Sequence, residues 1–232
     1  MPVIDINLYK LFQQIIKRNL SSDAWDWLEK KINLVKTEER SMQLNLSFSQ
    51  LSRLTGRNIV ELNSNEVIEI NLSMSGLELN NWTIDRLCRV WLLMQVPAGD
   101  KENYLKKING LFATAEMNEQ VALYSALPIY CYPEEWIARC EEGIRSNIGI
   151  VLEAIMYHNP YPAKFLSTPS WNQLVLKAFF TEKEVDKIYG LYERINPALS
   201  ETLMDYIQER LAAHRTVAPE IYQLTQQMNP QI

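Results

Sequence analysis

The sequence predicts an all-α fold of stacked antiparallel helices, an α–α superhelix of the helical-repeat kind. Three observations carry this expectation. Apolar residues recur at helical spacing along nearly the whole chain. Only seven glycines and ten prolines occur in 232 residues, too few turn formers for a many-stranded β protein. Hydrophobic residues make up 47% and charged residues 22%, values that let a chain of this length bury a sizeable core. No linker or low-complexity segment interrupts it, so residues 1–232 read as a single domain, with 1–76 as its less sharply patterned N-terminal part.

The elements follow from spacing and caps. Residues 5–18 place Leu8, Leu11, Phe12, Ile15 and Ile16 on one stripe. Ser21, Ser22 and Asp23 can open a second helix with Trp25, Leu28, Ile32 and Val35 inward. The stretch 41–75 is two-sided. Met42, Leu44, Leu46 and Phe48 alternate with polar residues, as do Ile68, Ile70, Leu72 and Met74, which is a strand signal. Ser64 and Gly76 also fit the cap positions of a short helix, and hairpin turn chemistry is missing, so helix is the favoured reading. Thr83 starts a helix over 83–95 carrying Leu87, Val90, Trp91 and Met94, and Asp100 caps one reaching Phe112. A helix covers 116–127. Pro133 suits the first position of a long helix over 133–157, with Gly143 and Gly149 inside it, where each costs roughly 1 kcal/mol against Ala. Further helices are expected at 170–180, 182–191, 197–215 and 219–228, with Pro169, Thr181, Pro197 and Pro219 marking their starts.

Composition also excludes functions. With 28 acidic against 23 basic residues the net charge is −5, and no basic run offers itself to phosphates, so nucleic acid is not an expected partner. Three unclustered cysteines and two histidines fit neither a disulfide framework nor a zinc site; no metal or cofactor is expected. The first nineteen residues lack a basic segment followed by an apolar one, so no secretory leader is expected and a reducing cytoplasm is the expected location. No phosphate loop, GxSxG elbow or HExxH is present.

The informative residues are polar ones on apolar faces. At about 100° per residue, Glu141 falls on the face of Ile137, Ile144, Ile148, Val151, Leu152 and Ile155, with Arg145 one turn on and able to pair with it. Arg210 and His214 project among Leu199, Leu203, Ile207 and Leu211, and Tyr206, Arg210 and His214 form an i, i+4, i+8 ladder. Asn172 lies away from the polar stripe of Gln173 and Lys177 in a helix apolar nearly all round. His158 precedes a rigid AsnProTyrPro turn. Two readings stand: a structural network of buried hydrogen bonds and ion pairs, or the lining of a ligand pocket. An enzyme using Glu141 as general base is a third, without a recognisable nucleophile to support it.

Four ordered phrases in the C-terminal half resemble a known family: EEGIRSN at 141–147, NPYPAKF at 159–165, WNQLVLKAFF at 171–180, and RIN, DYIQERLAAHR and VAP across 194–219. They are similar to motifs of the EboA family of metabolite-traffic proteins, strongly over 130–220 and weakly over 77–95. Ser146 stands where the family pattern has Thr, and His214 where it has Gly. The resemblance implies an all-α protein encoded beside a membrane prenyltransferase of the UbiA type and TIM-barrel-like or sugar-isomerase-like proteins, in a cluster that handles secondary-metabolite precursors at the inner membrane. It implies no activity for this component. Combined with the inward-facing set, it gives a candidate ligand-binding group of Glu141, Arg145, Asn147, His158, Trp171, Asn172, Lys177, Arg210 and His214. The expected function is that of a non-enzymatic cytoplasmic accessory protein, peripheral to the inner membrane, that binds a small, largely apolar metabolite or precursor. Trp and Tyr walls would hold the ligand, and Arg145, Arg210 and Asn172 would orient its polar end. The alternative is a scaffold that docks pathway enzymes.

Overall fold

A computed structural model of the protein describes residues 6–228. It is 71% helical, with 13 α-helices and no strand among the described residues. The expected start of the first helix at residue 5 lies outside those residues.

The N-terminal part opens with α1 (Ile6–Asn19) and α2 (Ser22–Thr37). Both bury the apolar stripes expected of them, and the Ser21 hydroxyl accepts from Ala24 N–H to cap α2. The two-sided stretch is helical: α3 (Met42–Thr55) and α4 (Ser64–Ser73). Its alternation comes from a different geometry. Leu44, Phe48 and Leu51 face the core of the protein, whereas Met42 and Leu46 face solvent, so apolar residues two apart lie on opposite sides of one helix. The cap of α4 is Asn63, not Ser64. Asn63 accepts from the Glu66 amide while the Glu66 carboxylate accepts from the Asn63 amide, a capping box.

Next come α5 (Ile84–Leu93), α6 (Lys101–Thr114) and α7 (Met117–Ser125). α5 is buried nearly all round and is the hub of the molecule, packing against α1, α3 and α7. The long helix expected over 133–157 is broken. A 3₁₀ turn at Pro133–Trp136 leads into α8 (Ile137–Arg145), and α9 (Gly149–Met156) follows a gap at 146–148. Within the gap the Ser146 hydroxyl accepts from the Ile148 amide at 3.1 Å, a local bond that competes with helix continuation. The break lets α9 fold against α8 at Gly143, where any Cβ would overlap the Ile155 side chain and the Tyr124 ring.

The turn at 159–162 runs into a short helix, α10 (Tyr161–Phe165), then α11 (Thr168–Phe180). The helix expected at 182–191 does not form; only a 3₁₀ turn at Val185–Lys187 does. Glu182 takes a left-handed conformation, φ 52°, and Glu182 and Lys183 return amide bonds to Phe179 and Ala178. That pattern closes α11, and Ile188 then forms an isolated bridge with Tyr157. The chain ends in α12 (Pro197–Ala212) and α13 (Pro219–Met228), which pack together and, through α12, on α11. Among the described residues no helix is long and apolar enough to cross a membrane.

Candidate binding site

The expected polar set does not converge on one place. Glu141 is half-buried and accepts from the Ser170 hydroxyl at 2.5 Å. Arg145 is exposed and has no polar side-chain partner among the described residues. The expected Glu141–Arg145 pair is therefore absent: both lie in α8, but Glu141 turns to Ser170 while Arg145 faces solvent. Lys177 Nζ donates to Asn147 Oδ1 at 2.9 Å on the surface. His158 sits apart at the end of α9, its Nδ1 3.3 Å from Glu78 Oε1.

Asn172 is the clearest case of a structural role. It exchanges amide hydrogen bonds with Asn196, whose Oδ1 also accepts from Leu199 N–H and caps α12. Trp171 is fully buried, with Arg194 stacked 4.7 Å from its ring centroid. The Arg194 guanidinium donates to the carbonyls of Pro162, Ala163 and Leu166, closing the end of α10. Desolvation holds it below the usual arginine pKa. Buried Asn159 and Tyr161 bind the backbone at Tyr124, Ala154 and Pro133. The phrases NPYPAKF, WNQ and RIN thus interlock as a joint between α9, α10, α11 and α12, with Asn159, Tyr161 and Arg194 bonded to backbone and Asn172 to the Asn196 side chain.

His214 is equally structural. It lies just past α12 with φ 53° and is solvent-exposed. Its amide bonds Leu211 O and that of Arg215 bonds Arg210 O. This is the left-handed position of a Schellman cap, which glycine occupies at least cost. The ladder from Tyr206 through Arg210 stops there, and Leu211 also faces solvent.

Of the expected set, Arg210 lines a cleft near the C-terminal end. An open cleft of about 700 Å³ lies between the ends of α11 and α12 and the start of α13, within the roughly 300–1,000 Å³ of small-molecule sites. Phe179, Val185, Tyr206, Val217 and Ile221 supply its apolar surface. No tryptophan takes part. Arg210 lies 5.8 Å from the Tyr206 ring centroid and donates from Nε and Nη2 to Thr216 O at 3.0 and 2.8 Å. Among the described residues its Nη1 makes no hydrogen bond. Glu182, Glu184, Asp186 and Glu220 border the cleft. The nearby Lys183 is held by Glu153 at 2.5 Å and Glu184 by Lys187 at 2.7 Å.

The most deeply buried charges lie elsewhere. Arg89, 2% exposed, bonds Asp85 at 2.5 Å and the Phe48 carbonyl at 3.0 Å, joining α5 to α3. Arg86 stacks 4.1 Å from the Trp82 ring centroid and bonds the Ser125 hydroxyl, and burial lowers its pKa. The signal was present in the sequence: Asp85, Arg86 and Arg89 fall inside an apolar run that fills the centre of the fold. Cys88, Cys131 and Cys140 are buried free thiols, and burial raises the pKa of each. Among the described residues no group of three or more His, Cys, Asp or Glu side chains is placed to hold a metal ion.

Fold and cleft together define an all-α protein with one half-apolar, half-polar recess near its C-terminal end. The family model described as "Metabolite traffic protein EboA" matches residues 8–226, and the chain belongs to the EboA family. The match reaches into α1, far ahead of the phrases that carry the resemblance. No curated protein and no solved structure matches the chain.

Proposed function

We propose that the protein is a non-enzymatic accessory component of metabolite traffic, and that it binds a small, largely apolar metabolite or precursor in the cleft between α11, α12 and α13. The observation that carries this reading is the coincidence of the family-like segment 205–219 with the wall of the cleft: Tyr206, Arg210, Thr216, Val217, Ala218 and Pro219 all line it. The apolar wall supplies most of the binding energy, at about 25 cal/mol per Å² buried. The free Nη1 of Arg210 orients a hydroxyl or carbonyl on the ligand. A strongly anionic ligand is disfavoured, because four carboxylates border the cleft and Lys183 is paired with Glu153. The protein works in the cytoplasm beside its pathway partners, including a UbiA-type membrane prenyltransferase.

Titration with the neutral apolar fluorophore Nile red tests the reading. Wild type should enhance the emission saturably, and Val217→Asp, which puts a charge in the apolar wall, should weaken it at least tenfold with the helical circular dichroism unchanged. Equal binding by both proteins would move the site away from the cleft.

A further inference from the structure

A different surface carries a second inference, independent of the cleft. Helix α3 and its flanks expose more apolar surface than any solvent-facing helix needs. Met42 is 61% exposed, Leu46 44%, Leu54 42% and, just beyond the helix, Ile59 54%. Met42, Leu46, Ser49 and Arg53 follow one another at i, i+4, i+7 and i+11, so they form a single outward stripe opposite buried Leu44, Phe48 and Leu51.

The charge of this segment is the reverse of the chain's. Residues 40–60 hold Arg40, Arg53 and Arg57 and not one carboxylate, in a protein whose net charge is −5. All three arginines are exposed, and none has a hydrogen bond or ion pair of its side chain among the described residues. Glu39 and Glu61 bound the stretch at its two ends. Glu38 is taken up inside the fold, its carboxylate accepting from the Gln43 and Leu44 amides.

We infer that the outer face of α3 is a docking surface for an anionic lipid bilayer. Exposed apolar side chains on one stripe, with unpaired cations beside them and no carboxylate between, match an interface that is negatively charged at the headgroups and apolar just beneath. Met42 and Leu46 enter the headgroup boundary, and Arg40, Arg53 and Arg57 meet lipid phosphates.

Vesicle flotation with the full chain tests this. Wild type should float with phosphatidylcholine–phosphatidylglycerol vesicles and not with phosphatidylcholine alone, and high salt should release it. Arg53→Glu with Arg57→Glu should reduce binding about tenfold or more. Met42→Ser with Leu46→Ser should reduce it several-fold without affecting Nile red binding at the cleft. Charge reversal at exposed Arg215, beyond α12, should leave flotation unchanged. No flotation with anionic vesicles overturns the proposal, including the case in which the face instead captures an acidic protein. Wild-type flotation by the double variants overturns it equally.

Discussion

Asn172 and Asn196 bond each other through both side-chain amides, the Nδ2 of each donating to the Oδ1 of the other at 3.1 and 2.9 Å. Asn196 at the same time caps α12. The pair therefore ties the middle of the C-terminal half to the helix that walls the cleft. Asn172→Leu removes both bonds to Asn196, which keeps its contacts with the Arg194 carbonyl and the Leu199 amide, and should lower unfolding free energy by about 1 kcal/mol. Chemical denaturation reads this directly. Ligand occupancy should fall only as far as folded protein does.

Two acidic residues should separate sharply in the same assay. Asp85 is fully buried against Arg89, so Asp85→Ala should cost on the order of 3 kcal/mol by leaving the buried guanidinium only the Phe48 carbonyl and the more distant Glu119 carboxylate, 4.0 Å away. Glu141 is half-buried and bonded only to a hydroxyl, so Glu141→Ala should cost about 1 kcal/mol or less. Equal denaturant midpoints for the two variants would contradict the burial assigned to Asp85.

His214 holds a left-handed conformation at the end of α12, which costs a non-glycine residue about 1–2 kcal/mol. His214→Gly should raise the thermal midpoint and add up to about 1 kcal/mol, after the extra freedom of glycine in the unfolded chain is subtracted. A loss of stability would show that the imidazole makes a contact that matters more than the backbone.

The ion pair of Arg18 with Glu66 gives an acid-side signature. The Arg18 hydrogen bond holds the Glu66 carboxyl below its ordinary pKa. The folded state thus binds its proton later than the unfolded state does, and the pair stabilises the fold above the unfolded value of about 4.3. That contribution is lost as the pH falls through the depressed folded pKa. Because Arg18 is exposed, it is no more than about 1 kcal/mol. Glu66→Gln should lower the denaturation midpoint at pH 7 and have little effect near pH 2.

Helix type was legible because 3.6-residue periodicity survives burial on one side: α1, α2 and α5 lie where their stripes and caps predict, and α11, α12 and α13 start at or beside the prolines that mark them, although α12 ends at Ala212 with Leu211 exposed. Breaks were less legible. The gap at 146–148 depends on a serine–backbone bond and on the contact of Gly143 with Tyr124, a residue far away in sequence. The loss of a helix at 182–191 depends on a left-handed Glu182, which no local pattern marks. The candidate site suffered from the same gap. Helical projection placed Glu141 and Arg145 inward by extending one regular helix through the break. Asn172 did prove to need a partner, but the partner, Asn196, lies on another helix and is set by tertiary packing. Arg210 reached the cleft because α12 is regular up to its cap.

Native mass spectrometry of the protein purified from its own host decides whether the cleft holds a small apolar molecule. The wild-type protein should retain a non-covalent adduct of low polarity, released by mild collisional activation. Val217→Asp, purified in parallel and equally helical, should appear as the bare polypeptide. An unmodified wild-type mass in every preparation, or the same adduct retained by Val217→Asp, would contradict the claim.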